Sequence, residues 1–165
     1  MDQSLSASDA SVAIAPLPFP SLSWFEQLAG ELNRNRIRQE QLGYVDCVVQ
    51  IDVLMPAGAE PRWSVQITFE EFAITDVRRT TAADAERADF VLEASLATWM
   101  AMIDSIVAGG GRPGLDQTLN HLSHFGRPLA IHSADPLRRD LYFRYNQSLQ
   151  EMFNACARFA TAPLS

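Results

Sequence analysis

The hydrophobic and polar positions of the chain change period several times, and each change marks an element. From Gly43 they alternate. Val45, Cys47, Val49, Ile51, Val53 and Met55 share one face, with Tyr44, Asp46, Gln50 and Asp52 on the other, the period of a half-buried strand. After the turn signals of Pro56 to Pro61, Trp63, Val65, Ile67 and Phe69 alternate with Arg62, Ser64, Gln66 and Thr68, so the two runs predict a hairpin. A third strand is expected over 71–78, with Phe72 and Ile74 inward and the phase slipping near Val77, as at a bulge. Thr80 to Arg87 reads as a polar connector with one helical turn started by Thr81. In 88–94, Phe90, Leu92 and Ala94 alternate with Asp89, Val91 and Glu93. From Leu96 the spacing becomes three and four, through Trp99, Met100, Ile103, Ile106 and Val107, which predicts a strand turning through Ser95 into an apolar helix.

The flanks carry helical spacing. Ser23 to Glu26 has the form of a capping box, with Phe25, Leu28 and Leu32 facing a core behind it. Gly109 to Gly114 ends the apolar helix. Leu115, Leu119 and Leu122 predict a short amphipathic helix, and Leu129 and Ile131 a fifth strand. Asp135-Pro136 starts the last helix. Leu141, Tyr145, Leu149, Met152, Cys156 and Phe159 stripe that helix over 137–160, about 35 Å of it. Tyr142 and Phe143 fall off the stripe, where one of them is free to meet a second subunit. Residues 1–20, rich in Ser, Ala and Pro, are expected to be a flexible arm that lacks the basic start of a signal peptide. Residues 21–161 are expected to be one domain.

Composition narrows the chemistry. A 165-residue chain with 47% hydrophobic residues can bury roughly 70% of its unfolded surface. A net charge of -7 disfavours a nucleic-acid groove. No stretch reaches the ~20 apolar residues that cross a bilayer. All 13 basic residues are Arg, so Schiff-base lysine chemistry and a Walker A phosphate loop are both excluded. Cys47 and Cys156 lie inside apolar patterns and read as buried thiols of a reducing, cytoplasmic compartment.

No constellation demands catalysis. Glu70 and Glu71 are neighbours on a strand and point to opposite faces. Asp46 and Asp52 lie on the polar face, where solvation is expected. His121 and His124 share a helical face and His132 follows on a strand, but no cysteine stands near them, and zinc wants three or four ligands. Their role stays open, and neither a metal nor a cofactor is expected. Arg34, Arg36 and Arg38 read as a solvated helix end.

Ala88 to Leu92, Trp99-Met100, and Gly126 to Ile131 leading to Asp135 resemble segments of the sterol carrier protein type 2 family. The likeness runs over about residues 45–135. A Ser133-Ala134-Asp135 sequence stands where the family usually has a Gly-Asp pair, and the long C-terminal helix and N-terminal arm are additions. The resemblance implies an α+β layered domain, with a five-stranded, mainly antiparallel sheet covered by helices. It also implies a tunnel that binds a lipid, fatty acyl or sterol-like molecule without chemistry. Phe69, Phe72, Phe90, Trp99, Met100, Ile103, Leu119, Leu122 and Phe125 are the residues expected to line it. The alternative is an accessory subunit of a metabolic enzyme, the same fold with a filled interior. It would grip its partner, or a second copy, through the arm and the C-terminal helix.

Overall fold

The computed structural model describes residues 15–57, 60–124 and 128–163. Its centre is a five-stranded sheet in the order β4-β3-β2-β5-β6. The strands are β2 (Cys47–Leu54), β3 (Arg62–Glu70), β4 (Ala73–Thr80), β5 (Phe90–Ser95) and β6 (Ala130–His132). β2 pairs in parallel with β5 and antiparallel with β3, and the two outer pairings are antiparallel. The bulge falls between Thr68 and Phe69, where Thr75 is the extra residue on β4. Glu71 takes the left-handed turn position, with φ 59°.

One face of the sheet carries Val49, Ile51, Val53, Val65, Ile67, Phe90 and Leu92, all buried. The helices cover it because their apolar stripes need that surface. α1 (Leu22–Arg34) packs on β4 and on α6 (Asn146–Asn154), while α3 (Leu96–Ala108) packs on β2, β5 and α6. Ser95 caps α3 by accepting from the Thr98 N–H, and Asp135 caps α5 (Pro136–Arg144) by accepting from Leu137. α2 (Arg36–Leu42) and α4 (Leu119–Ser123) close the layer against α6.

Several expectations need correction. Ser21 caps α1, not Ser23: its hydroxyl accepts from the Trp24 N–H at 3.1 Å. The frame starts two residues early and buries Trp24 completely. The last part of the expected arm is a strand, β1 (Leu17–Phe19), paired in parallel with β7 (Thr161–Pro163). Phe19 fills a space among Trp24 and Phe25, and the Trp24 indole N–H bonds Thr161 Oγ1 at 2.9 Å. Residues 1–14 lie outside the described residues. The run from Leu115 is not one helix, because Thr118 caps a separate α4 and leaves Leu115 89% exposed.

The long C-terminal helix is also divided. α5 ends at Tyr145 and α6 begins behind it, followed by a 3-10 turn over Ala155–Arg158. The break turns Tyr142 into the core, where it is fully buried against Phe90, and leaves Phe143 outward. The three arginines near Asn35 are separately paired, Arg34 with Glu31, Arg36 with Glu40 and Arg38 with Glu151.

The second face of the sheet is polar yet closed. Gln50, Asp52, Ser64 and Gln66 are all buried there, so the expected solvation of Asp52 does not hold. The 3-10 turn Ala82–Arg87 lies over this face, its Asp84 carbonyl accepting from Gln66 Nε2 at 2.8 Å. Gln66 also donates to Gln50, and Gln50 Nε2 donates to Asp52 Oδ1, both at 2.9 Å. Arg62 reaches Asp52 at 3.5 Å and Glu93 at 2.8 Å. The buried carboxylate thus keeps a counter-charge and hydrogen bonds, the conditions under which burial is tolerated.

Candidate functional site

The strand-to-helix corner at Ser95 brings β5 and α3 together, and the β6–α5 turn returns α5, with Tyr142, against β5. Phe90, Trp99, Ile103, Leu119, Leu122 and, from β3, Phe69 are all buried members of the hydrophobic core cluster of the domain. Met100 packs at the edge of the cluster, half-buried. Phe72 lies elsewhere. It sits on the β3–β4 turn with its ring edge on Tyr44 and under the Arg36 guanidinium. Phe125 is outside the described residues.

Polar anchors are few, as in most small-molecule sites. The Trp99 indole N–H donates to the Asp52 carbonyl at 3.1 Å, and its ring stacks on Phe153 at 5.3 Å. Tyr142 donates to the Leu119 carbonyl at 3.1 Å, and its hydroxyl also lies 3.0 Å from Ser123 Oγ. Burial pushes the Tyr142 hydroxyl pKa up, and hydrogen bonding with Ser123 and Asn146 works against that rise. A residue pattern that assumed one continuous helix could not find Tyr142. The Asp-Pro cap was legible, but the break at Tyr145 that aims this ring was not. The interior around the cluster is filled by side chains, with Trp99, Met102, Phe90, Tyr142 and Phe153 at or near zero exposure.

Three openings among the described residues lie at the surface. A groove of about 460 Å³ runs between Arg38, Arg112 and Arg158, where Arg38 is paired with Glu151 and Arg158 bonds the Glu31 carbonyl. Beside it a second polar groove is lined by Gln41, Asn120, Asn146 and Gln150. An apolar pocket of about 170 Å³ lies on the other face of the sheet, lined by Ala85, Ala88, Val91, His132 and Ala134.

The histidines are dispersed. His121 is exposed, His124 Nδ1 lies 2.7 Å from the Asn120 carbonyl, and His132 Nε2 lies 3.1 Å from Glu93. No group of three or more His, Cys, Asp or Glu positioned to hold a metal occurs among the described residues. Both cysteines are free and buried. Burial and the Asp89 and Asp46 charges push the Cys47 thiol up, and burial pushes Cys156 up to about 12. No helix among the described residues is long and apolar enough to cross a membrane.

No family model and no curated protein sequence matches the chain. Two solved structures share its architecture. One is the solution structure of a conserved hypothetical protein of Thermus thermophilus, described as a candidate sterol carrier protein. It is 20% identical, with a TM-score of 0.60 over 88% of this chain and 92% of that one. The other is the crystal structure of sterol carrier protein 2, 19% identical, with a TM-score of 0.59 over 84% of this chain and 96% of that one. The sheet with its helix layer, the strand-to-helix corner and the α5–α6 pair thus form a domain with the sterol carrier protein 2-like fold.

Proposed function

We propose that the chain binds an apolar small molecule, a lipid, fatty acyl chain or sterol-like compound, between the sheet and its helix layer, without catalysing a reaction. The observation that carries this reading is the burial of Phe90, Trp99, Ile103, Leu119 and Leu122 in one core cluster between sheet and helices, in a fold shared with sterol carrier protein 2. Affinity would come from apolar burial at about 25 cal/mol per Å². Ser123 and the Tyr142 hydroxyl are the polar groups at the end of that cluster, placed to orient a ligand's single polar end.

The test is native mass spectrometry of freshly purified protein, followed by identification of whatever small molecule leaves on denaturation. The delipidated protein is then titrated with a fluorescent fatty acid while Trp emission is followed. A stoichiometric apolar adduct, or saturable quenching lost in Leu119→Asp, is expected. A clean mass together with no saturable uptake would overturn the reading and leave the fold to the accessory-subunit alternative.

A further inference from the structure

The pocket on the polar face of the sheet has a chemistry of its own. Its walls come from the 3-10 turn (Ala85) and the residue after it (Ala88), from β5 (Phe90, Val91) and from the β6–α5 turn (Ala134), and His132 closes one side. His132 is directly opposite Val91 in the β5–β6 register, so its ring rises from the same face.

The ring is held at one nitrogen. Nε2 lies 3.1 Å from Glu93 Oε1, Glu93 Oε2 lies 2.8 Å from Arg62, and Arg62 reaches the buried Asp52. A carboxylate paired with an arginine only accepts, so Nε2 carries the proton of that bond. In the neutral ring Nδ1 is then the acceptor. No partner of Nδ1 occurs among the described residues. Cross-strand pairing sets Glu93 beside Asp52, and their shared arginine fixes the Glu93 carboxylate that fixes the histidine. Such an ordered series of contacts positions an imidazole as the second shell of a binding site does.

We infer that this pocket is a second small-molecule site, specific for a neutral phenol whose ring enters between Ala85, Ala88 and Val91 and whose O–H donates to His132. Three features select that class. A volume of about 170 Å³ is that of a single ring, since an engineered cavity of roughly 150 Å³ takes up benzene. The side-chain groups left to read a polar atom, His132 Nδ1 and the Glu86 carboxylate, are both acceptors, so the ligand supplies the donor. Glu86 lines the pocket and Glu93 stands behind the histidine, so a carboxylate or phosphate would meet like charge. The site lies on the face of the sheet opposite the helix layer, with Phe90 bordering it and also belonging to the interior core.

The test is a titration of 15N-labelled protein with p-cresol at about pH 8, with toluene as the ring lacking the hydroxyl. Amide shifts should centre on Ala88, Val91, His132 and Ser133, with p-cresol binding about five- to tenfold tighter than toluene, the size of one hydrogen bond. His132→Ala, at an exposed position, should bring p-cresol down to the toluene level. Ala134→Phe, at the pocket rim, should remove both. Equal binding of the two probes, an unchanged affinity in His132→Ala, or shifts centred on Trp99 would each overturn the proposal. Uptake of a fatty acid at Trp99 reports separately on the carrier reading.

Discussion

Replacing Trp99 with Ala probes how rigidly the sheet and helix layer pack. The indole is fully buried, stacks on Phe153 and donates to the Asp52 carbonyl. The exchange removes roughly 140 Å³ of side chain. At about 24 cal/mol per Å³ a cavity that fails to collapse costs close to 3 kcal/mol. Losing the transfer energy of the ring adds about 2 kcal/mol. Partial collapse around Met102 and Ile103 offsets some of this, so a destabilisation of about 4 kcal/mol is expected, within the measured range for Trp to Ala in cores. Urea unfolding followed by far-UV circular dichroism gives the value, with an unchanged m confirming that the denatured state is the same. A loss below about 1.5 kcal/mol would refute the reasoning. It would mean that the indole borders space already vacant or readily vacated.

Other outcomes follow from the same geometry. Arg62→Met should cost about 2–3 kcal/mol, because it leaves the Asp52 carboxylate, 2% exposed, beside Glu93 without its cation, and Asp52→Asn in the same chain should recover most of the loss. Tyr142→Phe should cost about 1 kcal/mol by removing the donor to the Leu119 carbonyl, read from the thermal midpoint. Stability should fall as pH rises from 9 towards 12. Cys156 keeps its proton in the folded state up to about 12, whereas the unfolded thiol loses it near 9, so the folded chain binds more protons across that window. Cys156→Ala should reduce that slope, leaving the share of Cys47, whose thiol is also pushed up. Neither native thiol should react with a disulfide reagent at about pH 8, because both are buried and protonated.

Period-2 patterns gave away β2 and β3 because each strand buries one face only. Asp135 could be read as a cap, and Ser95 as the point where strand becomes helix, because each signal sits next in sequence to the turn it marks. The strand pairing β1–β7 left no such trace: three residues carry too short a period, and their partner lies at the far end of the chain. Asp52 read as solvated for a similar reason. Alternation assigns a side chain to a face, but the cover on that face is the turn at Ala82–Arg87, and its placement is a tertiary fact. Six of the nine proposed lining residues are in the core because apolar spacing reports burial. Apolar spacing does not distinguish a wall from a filled interior, and Phe72 shows the limit, since a turn carries it off to Tyr44.

A filled interior and a carrier role are compatible if the layer opens, and α4, with five residues the shortest α-helix of that layer, is the element the carrier reading would lift. Its five residues are held by the Thr118 cap, the Leu119 N–H to Gln150, the Tyr142 hydroxyl to the Leu119 carbonyl, and the Leu129 N–H to the Leu122 carbonyl. Lifting it costs about 1 kcal/mol for each of the hydrogen bonds to its neighbours. Exposing Leu119 and Leu122 adds about 2 kcal/mol each. The sum, roughly 7 kcal/mol, would lower the apparent affinity by about five powers of ten relative to an open site. A chain of about sixteen methylenes returns roughly 13 kcal/mol on burial, enough to offset the opening, whereas one of six returns about 5 kcal/mol and is not. Under the carrier reading, affinity should therefore rise steeply with acyl length and be near zero for the shortest chains. Leu119→Ala, which weakens the hold on α4, should move that threshold to shorter ligands. A shallow dependence on length, or a threshold unmoved in that variant, would place the opening somewhere other than α4.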